Sequence, residues 1–356
     1  MYVMNFYYRS IISTFVSDNV NLKKMKKNAI HILSVFFLIS CTVNQENSKN
    51  RENSMLNYRK SYSISGNNIS IYSTAIPDTV DILLLSDTHL SIKDEREKPF
   101  EQYSERMSGA YKVTKHYRTG EETCPQQAFI ETVNIAGEKN VDLLALTGDI
   151  FSYPSEAAVE WVDSILADSK LKYVYTTGNH DWHYEGMKGS SSELRSAWIN
   201  ERLLPLYKGN NPLFYFVDIK GVRVVMIDNS TYEISSDQLS FFRQQVKSGL
   251  PLILMMHIPL YAPDRPVSYG CAHPDWNMNN DNVFKIERRE PWSEKGHTTE
   301  TMQFREEVLN ATNLLAVFSG HIHRQTLDVI DNLPLFVVKE NASGNHYNIR
   351  VIPVSR

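Results

Sequence analysis

From residue 80 onward the chain alternates short runs of leucine and β-branched residues with stretches whose apolar positions recur at helical spacing. The runs are apolar almost without interruption, as expected of strands covered on both faces rather than on one. This pattern predicts strands over 81–86, 142–147, 172–177, 214–219, 222–228, 252–256 and 314–319. Helices are predicted near 126–139, 156–169, 236–247 and 299–310, with further strands in the tail over 326–330, 335–338 and 347–353. Alternation of this kind specifies an α/β fold. No Pro/Gly-rich linker and no internal repeat divides it, so residues 80–356 are expected to form one domain.

Two long polar segments interrupt the order, 91–124 after the first of these strands and 260–300 after the sixth. Loops of such length commonly carry function. Each leaves the carboxyl end of a strand, where open α/β sheets bind ligands, so both are expected to be lids over one crevice. Within the first, the run 94–98 alternates in sign and reads as solvated surface.

The first 40 residues follow a different pattern. Met25 and the basic pair Lys26-Lys27 precede an apolar run over 29–39, which is followed by Ser40 and Cys41. A basic start, a short apolar stretch and a small residue before Cys make residues 1–40 a signal segment of lipoprotein type, with translation expected to begin at Met25 and lipid expected on Cys41. The apolar run is about half of the ~20 residues that span a bilayer, which disfavours a permanent transmembrane helix. Residues 41–79 read as a tether and lead-in, and the Asn, Ser, Glu and Lys of 42–62 suit a solvated spacer. The chain is therefore expected in the cell envelope, lipid-anchored to a membrane on its periplasmic or extracellular side.

Composition narrows the remaining choices. Of 356 residues, 42% are hydrophobic and 11% aromatic, with 15 Gly and 14 Pro, which excludes a collagenous or disordered polymer. Three cysteines exclude a small disulfide-built fold, although Cys124 and Cys271, one in each insert, could pair outside the cytoplasm. The formal charge is −4, and the signal segment carries five basic and one acidic side chains, so the remainder stands at −8. With that charge and no dense basic stripe, nucleic acid is a disfavoured partner.

Candidate chemistry concentrates immediately after five of the predicted strands. The clusters are Asp87-Thr88-His89, Gly148-Asp149, Gly178-Asn179-His180-Asp181, His257-Ile258-Pro259 and Gly320-His321-Ile322-His323. In extended backbone, residues two apart project to the same side, which is expected to bring Asp87 to His89 and His321 to His323. Asp149, Asn179 and His257 arrive singly from neighbouring strand ends. Seven such donors exceed what one four-coordinate ion takes, and they fit two ions about 3.5–4 Å apart bridged by a carboxylate. Imidazole, amide and carboxylate without thiolate suit Mn, Fe or Zn rather than Cu(I) or an iron-sulfur cluster. Asp181 is expected to brace the turn.

The ordered set from Asp87 to His323 resembles the signature of the calcineurin-like metallophosphoesterase superfamily: Asp-x-His, Gly-Asp, Gly-Asn-His-Asp/Glu, a lone His and Gly-His-x-His. The resemblance implies a two-sheet β-sandwich flanked by helices, in αββα layers, and catalysis with two divalent or trivalent metal ions. It implies one ion held by Asp87, His89, Asp149 and His323, and a second by Asp149, Asn179, His257 and His321, with Asp149 bridging. Two such cations would neutralise the charge of a phosphoester and its in-line transition state and activate water near neutral pH, so that no side-chain nucleophile is needed. His180, beside Asn179, is then placed to steady a phosphoryl oxygen or to protonate the departing alkoxide, and it is the expected general acid. Many members of that superfamily place an Asp three residues beyond the bridging Asp, where it orients the catalytic His. This chain has Ser152 there and Tyr153 next.

In the second insert, Arg265, Tyr269 and Trp276 are candidate substrate contacts, Arg265 clamping phosphate and the rings stacking on a nucleoside or sugar. The same aromatics could instead fix a long lid to the core. His183, His273 and His297 fall outside the motifs and default to solvated loop. The leading reading is a metal-dependent phosphoesterase acting on a small phosphomonoester or phosphodiester. Its rivals are a cyclic nucleotide phosphodiesterase or nuclease and, from another class, a metal-holding lipoprotein that binds a partner without catalysis. His180 beside seven ligands weighs against the last, because recognition alone needs no acid.

Overall fold

A computed structural model of the chain describes residues 60–355. The signal segment, Cys41 and the tether up to residue 59 lie outside the described residues. One six-stranded sheet is built, in spatial order, from β1 (Lys60–Ser65), β2 (Asn68–Ser73), β14 (Tyr347–Pro353), β3 (Val80–Leu85), β6 (Leu143–Thr147) and β7 (Tyr173–Thr176). The other six-stranded sheet runs β12 (Thr326–Ile330), β13 (Leu333–Val337), β11 (Leu314–Ser319), β10 (Leu252–Met255), β9 (Val222–Ile227) and β8 (Phe214–Ile219). A small hairpin, β4 (Thr114–Lys115) with β5 (Glu122–Thr123), lies in the first insert. Strands β3, β6 and β7 are mutually parallel, as are β9, β10 and β11, so within each sheet the central strands deliver their carboxyl ends to one edge.

The alternation of side chains along the strands makes two cores. Val224, Met226, Ile253 and Met255 join the interior between the sheets with Ile82, Leu84, Ala316 and Phe318. Their neighbours Val225, Ile227, Leu252 and Leu254 join a second cluster on the outer side of the second sheet. Both faces of these strands are buried, which is why their sequences read as unbroken apolar runs.

Helices cover both sheets. On the first, α2 (Pro125–Glu138) buries Phe129 and Val133, and α3 (Glu156–Ser169) buries Val159, Val162 and Leu166. On the second, α6 (Ser236–Lys247) supplies Leu239 and Phe242, and α8 (Thr299–Asn310) supplies Phe304 and Val308. Each fully buried side chain of this size contributes about 1.5–3 kcal/mol. Their starts are fixed by capping: Ser155, Ser235 and Thr298 accept from the backbone N–H three residues on, and Ser235 forms a full capping box with Gln238. Shorter helices occupy the inserts, α1 (Glu101–Ala110) in the first and α7 (Val283–Ile286) in the second, while α4 (Ser191–Trp198) and α5 (Leu204–Tyr207) follow β7. No helix among the described residues is long and apolar enough to cross a membrane.

Several expectations need revision. Residues 60–73, read as lead-in, form the β1–β2 hairpin, and β2 pairs in parallel with β14, so the first sheet begins well before residue 80. The charge run 94–98 is only partly solvated, because Glu97 is buried against Arg202 and Tyr184. His183 and His273 are buried rather than solvated, and the side chain of His297 is covered. His297 stacks on Trp276 with ring centroids 4.1 Å apart. Cys124 and Cys271 are both free, and Cys271 is buried with its thiol donating to the Tyr232 carbonyl.

Candidate metal centre

Each candidate ligand stands just beyond a strand: Asp87 and His89 after β3, Asp149 after β6, Asn179 after β7, His257 after β10, and His321 and His323 after β11. The reason pairs two apart converge is not extended backbone. Asp87, His89, Asp149, His321 and His323 all have positive φ, between +50° and +74°. For non-glycine residues that conformation costs about 1–3 kcal/mol each, and it clusters where function requires it. Close backbone approach explains the motif glycines. A methyl group on Gly178 would sit 2.2 Å from Asp149 Oδ1, and one on Gly320 would sit 2.4 Å from Asp87 Oδ2. Asp181 braces this turn by accepting from the N–H groups of Asp149, Phe151 and Gly178.

The side chains gather in two adjoining clusters, Asp87 with His89 and His323, and Asp149 with His257 and His321, each with its ligand atoms within 4.8 Å of one another. In the first, His89 Nε2 and His323 Nε2 are 3.0 Å apart, and His323 Nε2 is 3.3 Å from Asp87 Oδ1. In the second, His257 Nε2 lies 3.1 Å from Asp149 Oδ2 and 3.2 Å from Asn179 Oδ1. His257 Nδ1 is 2.8 Å from the Thr147 carbonyl, which can only accept, so Nδ1 carries a proton and Nε2 faces the cluster.

Electrostatics fit a cation pair. Burial pulls His89 down to about 4 and His321 to about 3, leaving neutral imidazoles with lone pairs to donate. At Asp149 the penalty of burial is outweighed by His257 and His180, and the carboxyl lies well below its ordinary value. At His257 burial is likewise outweighed by the Asp149 carboxylate, which pushes the imidazole up to about 9. Ionised carboxylates thus draw positive charge into a buried place. His89 Nδ1 and Asn179 Nδ2 are buried without partners. The donor set of imidazole, carboxylate and amide fits two metal ions.

The family model for calcineurin-like phosphoesterase matches residues 80–325. The chain belongs to this family. It is a metallophosphoesterase, a hydrolase acting on phosphoester bonds. A probable cyclic nucleotide phosphodiesterase of Fibrobacter succinogenes is 22% identical to it over 230 residues, covering 64% of this chain and 75% of that protein. A second protein so named, from Rhodococcus erythropolis, is 23% identical over 231 residues, covering 61% of this chain and 63% of its own length. Among solved structures, a dimetal phosphatase from Danio rerio is similar with 10% identity and a TM-score of 0.47, covering 76% of this chain and 92% of that one. A purple acid phosphatase from yellow lupin is 12% identical with a TM-score of 0.42, covering 81% and 49%.

In this metallophosphoesterase a cavity of about 400 Å³ opens over the clusters, lined by Tyr111, His180, Tyr269, Glu287 and Arg324 beside the candidate ligands. Of the residues expected to meet substrate, Tyr269 lines it. Arg265 does not; its guanidinium is buried in an ion pair with Asp328. Trp276 does not either; it packs behind Tyr232, against Trp292 and His297. Ser152 donates to the His89 carbonyl, and the Tyr153 hydroxyl donates to the Ser91 carbonyl.

Several residues of the centre escaped the sequence reading. Tyr111 stacks on His89 with centroids 4.2 Å apart and planes 10° apart. The Tyr232 hydroxyl is 3.0 Å from His321 Nε2, a contact that fixes the ring of a candidate ligand. Glu287 faces His180, and Arg289 donates to the Asn179 carbonyl. None of these stands in a motif. The one available signal was placement, since Tyr111, Glu287 and Arg289 all lie in inserts that leave carboxyl strand ends.

Proposed function

We propose that the chain hydrolyses a small phosphomonoester or phosphodiester using two metal ions, with His180 as general acid. The observation that carries this reading is the convergence of the Asp87 and Asp149 clusters, from strands of both sheets, beneath a pocket that His180 also lines. When bound, two divalent or trivalent ions such as Mn, Fe or Zn supply charge neutralisation at phosphate oxygens and activation of water. The protein's part is to place the ester. Arg324 at the pocket wall replaces Arg265 as the cation available to a phosphate oxygen. The backbone N–H of His180 donates to Asp149 Oδ1 at 2.8 Å, which fixes the imidazole relative to the ligands. Burial holds the His180 pKa well below its ordinary value, and an anionic ester in the pocket acts in the opposite direction, favouring the protonated form that can donate to a leaving oxygen.

The second reading is a cyclic nucleotide phosphodiesterase. It is supported by the names of the two curated relatives and by Tyr111 and Tyr269 in the pocket wall, rings on which a base can stack. The rival without catalysis is a metal-holding binding lipoprotein. Chelation followed by Mn addition, with turnover of p-nitrophenyl phosphate, its bis ester and a cyclic nucleotide, separates the three. The expected result is Mn-dependent hydrolysis of an aryl ester. Preference for the cyclic nucleotide favours the second reading, and metal uptake without any turnover favours the third. His180→Ala is expected to keep metal content and lose activity, and Asp149→Ala to lose both metals; full activity in the first overturns the acid role.

The basic start at Lys26-Lys27, the apolar run and Cys41 support placing this activity in the cell envelope on a lipid anchor. A globomycin-treated culture should accumulate a slower-migrating precursor; an unshifted band removes the anchor.

A further inference from the structure

The second insert touches the catalytic loop through three consecutive residues. The Glu287 carbonyl is 2.8 Å from His183 Nε2, Arg288 donates to Glu185, and Arg289 donates to the carbonyl of Asn179. The Arg289 guanidinium also lies over the Trp182 ring, 5.4 Å from its centroid. This tripeptide therefore packs along the loop from Asn179 to Glu185 and holds it from behind.

The Glu287 carboxylate is divided between two partners. Arg289 Nε is 2.5 Å from Oε2, and His180 Nε2 is 4.0 Å from Oε1. Both acidic and imidazole side chains are only 12% exposed, so little water competes for the pair. Among the described residues Glu287 is the carboxylate in ion-pair reach of His180. Ser152 cannot take that part, since its hydroxyl is committed to the His89 carbonyl at 2.9 Å. A separation of 4.0 Å is wider than a hydrogen bond. Catalytic hydrogen bonds commonly tighten only once substrate is in place. An acid–base imidazole needs a third group to fix its ring and tautomer, and a buried carboxylate is the usual one.

We propose that Glu287, supplied by the second insert and steadied by Arg289, is the positioning residue of His180 in the phosphoester reaction. The inference rests on the reading of His180 as the acid. Its chemistry is proton transfer to the leaving oxygen: a water oxygen bonds to phosphorus as the ester P–O bond breaks, the departing alkoxide takes the proton from the imidazole, the proton shed by the water restores it, and the carboxylate keeps the ring aimed at the leaving oxygen without itself being protonated.

The test uses full-length, Mn-loaded enzyme and two esters that differ in need for that proton, p-nitrophenyl phosphate and phenyl phosphate. Glu287→Gln should lower kcat on phenyl phosphate by roughly 100-fold, in the range of acid catalysis, and on p-nitrophenyl phosphate by only a few-fold, with KM and metal content retained. Glu287→Asp should restore part of the loss. In a His180→Ala background, Glu287→Gln should cost nothing further, because the two act as a unit. Equal losses on both esters, independent losses in the double variant, or no loss at all overturn the proposal. Wild-type enzyme that turns over neither of these monoesters nor bis(p-nitrophenyl) phosphate overturns the reading of His180 as the acid of a phosphoester hydrolysis, and the inference with it.

Discussion

The two inserts are both long and polar in sequence, yet different forces hold them. The first exposes most of its length: α1 buries only Ser104 and Met107, and its firm point is Glu97, paired with Arg202 inside the protein. Arg202 also donates to the Pro154 carbonyl at 2.6 Å and to the Tyr184 hydroxyl at 2.8 Å. The second insert carries a core of its own, with Leu260, Cys271, Trp276, Phe284 and Trp292 joined to the outer face of the second sheet. A polar anchor fixes direction at one point, whereas an apolar anchor fills volume and fixes a whole segment. That difference explains why the tripeptide packed on the loop from Asn179 to Glu185, Glu287 to Arg289, comes from the second insert.

The largest effect should come from emptying the apolar anchor. Trp276→Ala is expected to cost about 3–5 kcal/mol of stability, read by denaturant unfolding, and to remove turnover along with it. A cost under about 1 kcal/mol would mean that the second insert is not held by its core.

The polar anchor should behave in a way no apolar one can. Glu97→Ala leaves Arg202 charged and buried, at an expected cost of about 3 kcal/mol. Replacing both, Glu97→Leu with Arg202→Met, should fall within about 1 kcal/mol of wild type, because a buried ion pair gains little over well-packed apolar groups. A double variant as unstable as the single one would assign the anchor to the Pro154 and Tyr184 contacts instead.

What the sequence could reveal follows the same division. Strands with both faces buried, such as β11, and helices with capped starts, such as α3, α6 and α8, have patterns set by their own residues, and their bounds coincide with those expected. The β1–β2 hairpin was illegible because its edge strand is Ser-rich and largely exposed, which reads as spacer. The seven candidate ligands were legible as a group because each follows a strand of the alternation. Glu97 and Glu287 were not, because each lies in a run of mixed charge and its role depends on a partner far along the chain, Arg202 for one and His180 for the other. Arg265 misled for the converse reason: an isolated Arg in an insert looked free, and Asp328 on β12 claims it.

Smaller effects are expected where the first insert reaches the centre. Tyr111 covers His89, and such stacking contributes about 0.5–1.5 kcal/mol, so Tyr111→Ala should lower kcat/KM by at most about tenfold. Tyr111→Phe should do less, since the hydroxyl has only a 3.4 Å contact with His323 Nδ1. A hundredfold loss in Tyr111→Phe would give the first insert a chemical part equal to that proposed for the second.

The smallest effect sharpens the comparison at Glu185, a residue both inserts reach. Glu185 is buried, and it accepts from Arg106 of α1 at 2.8 Å and from Arg288 of the second insert at 3.3 Å. By distance and bidentate geometry the Arg106 contact is the better bond, which alone would make the first insert the stronger partner. Arg106 is nevertheless half exposed, so water and salt screen the pair and its side chain gives up freedom to make it. Removing it leaves Glu185 with Arg288, whose segment stays in place through the apolar anchor, and with its own backbone N–H bonded to the Tyr103 carbonyl. Arg106→Ala should therefore cost less than about 1 kcal/mol, and less still at high salt, with turnover within about twofold. A loss that persists undiminished in salt would place the junction under the control of the first insert, since only a well-desolvated bond to Glu185 could resist screening.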